Sequence, residues 1–239
     1  MRILGLIGGM SWESTALYYR HLNEIARDRL GGLHSAKVLL WSFDFAEIAE
    51  CQSQGDWDGA TALMIDAARR LQAGGAEALV ICTNTMHKMA EELERASGLP
   101  VLHIADATAQ AIRRTACARP LLLATRFTME QAFYRERLRQ RHGIDCVIPD
   151  EADRALVHRI IYEELCRGVV SPDSKAAYLD VIDRLRRSEG VDGVILGCTE
   201  ITMLIGAGDV DFPVFDTTRL HAESAMAFAI DGAAAPSRN

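Results

Sequence analysis

The segment Gly75-Ala76-Glu77-Ala78-Leu79-Val80-Ile81-Cys82-Thr83-Asn84-Thr85 returns in altered form as Gly190-Val191-Asp192-Gly193-Val194-Ile195-Leu196-Gly197-Cys198-Thr199-Glu200. Each copy is a glycine and an acid, then an apolar run of buried-strand length, then a small polar cluster of the kind that opens a helix. A chain that does this twice is constrained toward two related half-structures. When glycine, acid and apolar run are aligned, Cys198 corresponds to Thr83 and not to Cys82. The second copy thus carries a thiol where the first carries a hydroxyl, an arrangement suited to chemistry on both faces of one small molecule.

The rest of the chain agrees with this repeat. Strand-like runs are expected at 2–8, 38–43, 77–83, 101–104, 120–125, 146–149, 193–198 and 213–216. Amphipathic helical runs are expected at 13–30, 58–71, 85–96, 129–142, 153–166 and 174–187. Apolar strands alternating with helices make an α/β fold with mainly parallel sheets. The expected architecture is two similar Rossmann-like domains related by a pseudo-twofold, with the active site in the cleft between them. Leu99-Pro100-Val101 and Phe212-Pro213-Val214 extend the repeat beyond each copy. The domain reading is 1–114 plus 216–239 for the first and 115–215 for the second. The helix at 217–230 is expected to return to the first half, and 233–239 reads as a loose tail.

Composition excludes several function classes. A net charge of −7 argues against a general nucleic-acid binder. Arg135, Arg137, Arg139 and Arg141 are interrupted by Glu136 within a helical pattern and read as a solvated face. No stretch approaches the ~20 apolar residues of a membrane span, and the first seven residues are too short an apolar run for a signal peptide. The expectation is a cytoplasmic protein whose six cysteines are free thiols. Seven histidines without ligand spacing give no metal site.

Ligands of open parallel sheets bind beyond the carboxyl ends of the strands, where Thr83 and Cys198 both fall. A helix start at Thr199-Glu200 would lower the Cys198 pKa from about 8.5 and would also receive a carboxylate. Such a thiolate suits removal of a proton alpha to that carboxylate. A Thr83 hydroxyl is a poor base near neutral pH, and its competing role is a helix N-cap. Cys82, pointed away by strand alternation, reads as a buried structural thiol. The turn Gly8-Gly9-Met10-Ser11 is expected to offer backbone N–H groups to a carboxylate. His87, one helical turn beyond Thr83, reads as a supporting or surface residue.

At these motifs the chain resembles the aspartate/glutamate racemase family. The carriers are Leu6-Ile7-Gly8-Gly9-Met10, Thr83-Asn84-Thr85-Met86-His87, Leu122-Leu123-Ala124-Thr125 and Gly197-Cys198-Thr199-Glu200. The resemblance implies two domains, no cofactor, a homodimer, and a pair of cysteines working on opposite faces of an amino acid. Here Thr83 replaces the first cysteine, which resembles a threonine/cysteine subgroup of broad-specificity or L-aspartate/glutamate racemases. It further implies catalytic roles for Thr83 and Cys198, and contacts to an amino-acid or dicarboxylate substrate from Met10, Gln52, Asn84, Thr85 and Thr199. Two alternatives stand beside it: an arylmalonate-type decarboxylase, which keeps only the cysteine corresponding to Cys198, and a carboxylate-binding protein without turnover.

Overall fold

The computed structural model describes residues 1–232; the tail expected at 233–239 lies outside them. The first half begins with β1 (Leu4–Gly8), α1 (Trp12–Leu30), β2 (Val38–Ser42), α2 (Phe45–Gln54), α3 (Trp57–Ala73) and β3 (Ala78–Ile81). A 3-10 turn at Thr85–Met89 runs into α4 (Ala90–Ser97). Then come α5 (Ile104–Ile112), β4 (Pro120–Ala124), α6 (Arg126–Glu130), α7 (Ala132–His142) and α8 (Glu151–Glu163). The chain closes with α9 (Pro172–Glu189), β5 (Gly193–Gly197), β6 (Val214–Asp216) and α10 (Thr217–Asp231).

The two sheets are parallel and are built alike. The first has the order β2-β1-β3, with Val101 bridged to Leu79 beyond β3. The second has the order β4-β5-β6, with Val147 bridged to Leu121 on the other side of β4. The repeat therefore maps β1 onto β4, β3 onto β5, and Val101 onto β6. Leu4 pairs with Ala78 and Pro120 pairs with Gly193, so the same offset carries Thr83 onto Cys198.

The repeated acids explain part of this register. Glu77 accepts the Ile3 N–H at 2.9 Å, and Asp192 accepts the Arg119 N–H at 2.7 Å. Each carboxylate thus ties down the residue that leads into the neighbouring strand, through a charge-assisted bond. The two prolines do the same on the other edge: Leu79 N–H donates to Pro100 and Val194 N–H to Pro213, both at 2.9 Å.

By packing, the chain divides into Met1–His103 with the segment from His221 onward, and Ile104–Leu220. The residue pattern placed these breaks after 114 and 215. Helix α5 goes with the second unit because Ile104, Ala105, Ala109 and Ile112 share one apolar core with β4 and β5. Helix α10 contributes Ala222, Ala225, Met226, Phe228 and Ala229 to the core around Leu4, Leu6 and Tyr18 of the first unit.

Several local expectations are corrected. The strands expected at 101–104 and 146–149 are reduced to single bridges at Val101 and Val147. The helical run at 129–142 is broken at Gln131, whose backbone is extended (φ −77°, ψ 146°). Arg137 is not on a solvated face: it turns in and grips the buried Asp106 with two bonds of 2.8 and 2.7 Å. Helices α2 and α5 lie where no helical run is expected. Among the described residues, no helix is long and apolar enough to cross a membrane.

Candidate functional site

The first set of candidates gathers around the turn after β3. The strand ends at Ile81; Cys82 and Thr83 form a bend, and Asn84 occupies the N-cap position of the 3-10 turn, with no side-chain cap bond. Capping therefore does not account for Thr83, which is half-buried at the strand's carboxyl end. Cys82 is wholly buried against Leu4, Tyr18 and Leu102, and burial pushes its thiol far above the usual range. It is the inert thiol that strand alternation indicates.

The polar candidates beside Thr83 are equally enclosed. Asn84 and Thr85 are buried, as is Gln52 on α2, whose amide lies 3.3 Å from the Met86 sulfur. Met10 packs into the same apolar cluster as Ile48 and Met86. Gln52 is thus brought to the Thr83–Met86 segment from a distant part of the chain, while Met10 shares the core that Met86 enters. Gly9 (φ +85°) makes the turn after β1 possible, since a Cβ there would run into the Phe43 backbone. Its N–H, expected to face a carboxylate, instead donates to Thr15 Oγ1 at 2.8 Å.

His87 is enclosed and not a surface residue. His87 is 2% exposed, and its Nδ1 donates to the Thr83 carbonyl at 2.8 Å. Its ring packs on those of His103 (centroids 4.6 Å apart) and His221 (5.3 Å).

In the second unit β5 ends at Gly197, and a Cβ there would stand 2.8 Å from Leu122 Cδ1 and 2.9 Å from Ala124 Cβ. This tight strand end delivers Cys198 in extended conformation (φ −142°, ψ 133°). Its thiol donates to Glu200 Oε2 at 3.0 Å, and the Thr199 hydroxyl donates to the same oxygen at 2.6 Å. Glu200 is itself buried.

The expected activation of Cys198 by a helix N-terminus is overturned. The chain beyond it forms only a five-residue 3-10 turn, Thr199–Met203, too short to build an appreciable dipole. Burial first, then the Glu200 carboxylate, push the thiol well above its ordinary value. Cys198 therefore rests as a neutral thiol with its proton already directed at a carboxylate. Glu200 was missed as a participant because an acid two residues after a cysteine has no distinctive spacing. The sequence signal was its place in the polar cluster that ends the repeat.

Tyr162 is also close enough for the Cys198, Cys166 and Glu200 charges to act on its hydroxyl, which burial above all pushes far upward. Its hydroxyl therefore stays un-ionised.

Comparisons with known proteins bear on the chain as a whole. A family model described as Asp/Glu/hydantoin racemase matches residues 7–225. A Yersinia pestis protein provisionally described as an Asp/Glu racemase is 55% identical in the aligned structure, with TM-score 0.89, covering 96% of this chain and 100% of its own. An aspartate racemase homologue from Pyrococcus horikoshii is 34% identical, with TM-score 0.83, covering 96% and 99%. The broad-specificity amino-acid racemase RacX of Bacillus subtilis is 23% identical over 231 residues, 94% of this chain and 96% of that one.

Proposed function

Because the chain belongs to the Asp/Glu/hydantoin racemase family, we propose that it racemises an amino acid without a cofactor, with Cys198 serving one face of the alpha carbon and Thr83 the other. Aspartate and glutamate are the first substrates to test. The observation that carries this reading is the equivalence of the two positions: each lies just past the carboxyl end of the corresponding strand, β3 or β5, at the same offset from its sheet partner.

The chemistry on the Cys198 face depends on its hydrogen bond. For the thiol to act as a base, its proton must first leave, and Glu200 Oε2 is 3.0 Å away. Moving that proton gives a thiolate beside a carboxylic acid, at no change in total charge. The thiolate then takes the alpha proton, and a proton delivered to the opposite face completes inversion. Thr83 Oγ delivers it and takes a proton from water, and Glu200 gives up its proton to the hydroxide so formed, which returns the Cys198–Glu200 pair to its starting state with no net change in protons.

Energetics limit the difference between the two faces. Enantiomers have equal free energy, so the equilibrium constant is one and kcat/KM is the same in both directions. A weak base at Thr83 slows inversion both ways, while Cys198 still exchanges the alpha hydrogen of one enantiomer with solvent. Exchange faster than inversion is the expected signature.

Proton NMR of L- and D-aspartate and L- and D-glutamate in D₂O, with chiral chromatography of the products, tests the reading. Loss of the alpha-proton signal with accompanying inversion supports it; no exchange with any amino acid removes it. In the same assay Thr83→Cys raises inversion relative to exchange by on the order of 10²-fold. An inactive but folded Thr83→Cys protein would show that Thr83 does not stand in for a thiol base.

Glu200→Gln separates the two contributions of the carboxylate. In the wild-type protein the proton moves only within the pair, so this transfer adds no pH dependence of its own to exchange. Without the acceptor, exchange falls by on the order of 10²-fold at pH 7 and climbs about tenfold per pH unit as the thiol ionises directly. A flat profile in the variant would exclude Glu200 as the acceptor.

A further inference from the structure

Thr83 gains no reactivity from its own chemistry, so its usefulness rests on placement. The structure holds its backbone with a side chain that the proposed reaction does not otherwise employ. His87 Nδ1 lies 2.8 Å from the Thr83 oxygen, and since a carbonyl only accepts, Nδ1 carries the proton. That fixes the tautomer and, with it, the ring plane. The ring is then clamped by two others, His103 at 4.6 Å and His221 at 5.3 Å between centroids.

His221 is locked in its turn. Its Nε2 donates to the Leu102 carbonyl, and the Tyr18 hydroxyl lies 2.7 Å from its Nδ1. All four side chains are buried. His103 and His221 are also the last and first residues of the first unit where the chain leaves it and comes back. Three elements that are remote in sequence, α1, the segment before α5, and α10, therefore meet behind one strand-end carbonyl.

We infer that His87 is the positioning residue of the Thr83 half-site, its Nδ1–H fixing the Thr83 backbone while His103 and His221 fix His87. The inference rests on the racemase reading. A cluster of this kind is expensive to assemble, because each buried imidazole must satisfy its polar atoms. A purely apolar core would fill the same volume without that requirement. A hydrogen bond to the carbonyl of the reacting residue sets the direction of its side chain, and misplacement of about 1 Å costs on the order of 10²-fold in rate.

Two substitutions separate the donor from the ring. His87→Phe keeps a ring of similar size and removes the donor. His87→Asn loses the ring but retains an N–H at the depth of Nδ1. The readout is deuterium exchange of each enantiomer together with inversion, on proteins whose folding is checked by circular dichroism. In His87→Phe, inversion and exchange of one enantiomer fall at least tenfold, while exchange of the other, served by Cys198, stays within about twofold. His87→Asn restores most of the lost inversion.

An unchanged ratio of inversion to exchange in His87→Phe, or equal loss on both faces, overturns the positioning role while leaving the racemase reading intact. Wild-type protein that exchanges no amino acid overturns both. Should His87→Phe fail to fold, long-range ¹H–¹⁵N spectra of the wild-type imidazoles decide: an Nδ1–H tautomer at His87 supports the inference, and an Nε2–H tautomer overturns it.

Discussion

Cys198→Ala abolishes both exchange and inversion, lowering each by at least about 10³-fold, within the range that a positioned acid–base group supplies. The substitution is small. Cys198 lies at the edge of the second core, 9% exposed, so loss of one sulfur costs about 1 kcal/mol and the protein still folds. Cys198→Ser sharpens the test. It keeps a hydroxyl that can donate to Glu200, and it makes the second half-site chemically like Thr83. A serine there falls nearly as far as alanine if ionisation of the thiol is what matters. Alpha-proton exchange in D₂O measures both variants, with thermal melts as the control for folding. Appreciable turnover in Cys198→Ala would take this residue out of the mechanism and leave the strand-end equivalence without chemical meaning.

Asp106→Ala destabilises the protein by about 3 kcal/mol, the usual cost of breaking a buried ion pair. Asp106 lies on α5 with a side chain 4% exposed, and it receives two bonds from Arg137 and one from His142 Nε2 at 2.8 Å, both on α7. Burial alone would raise its pKa. The hydrogen bonds from Arg137 and His142, with the charge of Arg137, outweigh burial and hold the carboxyl below its ordinary value. The folded-state pKa is thus depressed, so the stabilisation is fully present above the unfolded-state value near 4 and is lost as pH falls through the folded-state value. In Asp106→Ala the melting temperature drops by roughly 10 °C at pH 7, and by less at pH 3. A double variant, Asp106→Leu with Arg137→Met, recovers part of the loss because no buried charge is left without a counterion. Equal losses in the single and double variants would show that packing between α5 and α7, and not the ion pair, is what Asp106 supplies.

The α/β class, the parallel sheets and the repeat were legible because each depends on short-range pattern. An apolar run of strand length between helical runs carries its own signature, and Glu77 and Asp192 mark equivalent positions whether or not their partners are known. The position of Cys198 relative to Thr83 was legible for the same reason: register along a strand is a property of sequence spacing. The short elements escaped. Helix α5 is buried on most sides, with Ile104, Ala105, Asp106, Ala107, Thr108 and Ala109 all enclosed, so it has no polar face to give a helical period. Helix α2 presents a mixture of polar and apolar residues, of which Ile48 is buried in the core that α3 lines.

By itself, the sequence determined the two-half architecture, the family and the pair of strand-end positions, since these depend on local pattern and spacing. The ionisation state of Cys198 was decided only by the tertiary structure. Along the chain, the thiol opens a helix and should be acidic; in the folded protein the helix is a short 3-10 turn, and burial with the Glu200 carboxylate holds the proton on sulfur. The histidine cluster behind Thr83 is likewise a product of the fold, because His87, His103 and His221 meet only after α10 has packed onto the first unit. A pKa and a hydrogen bond between remote residues depend on distances in space, and those are set by the folded chain.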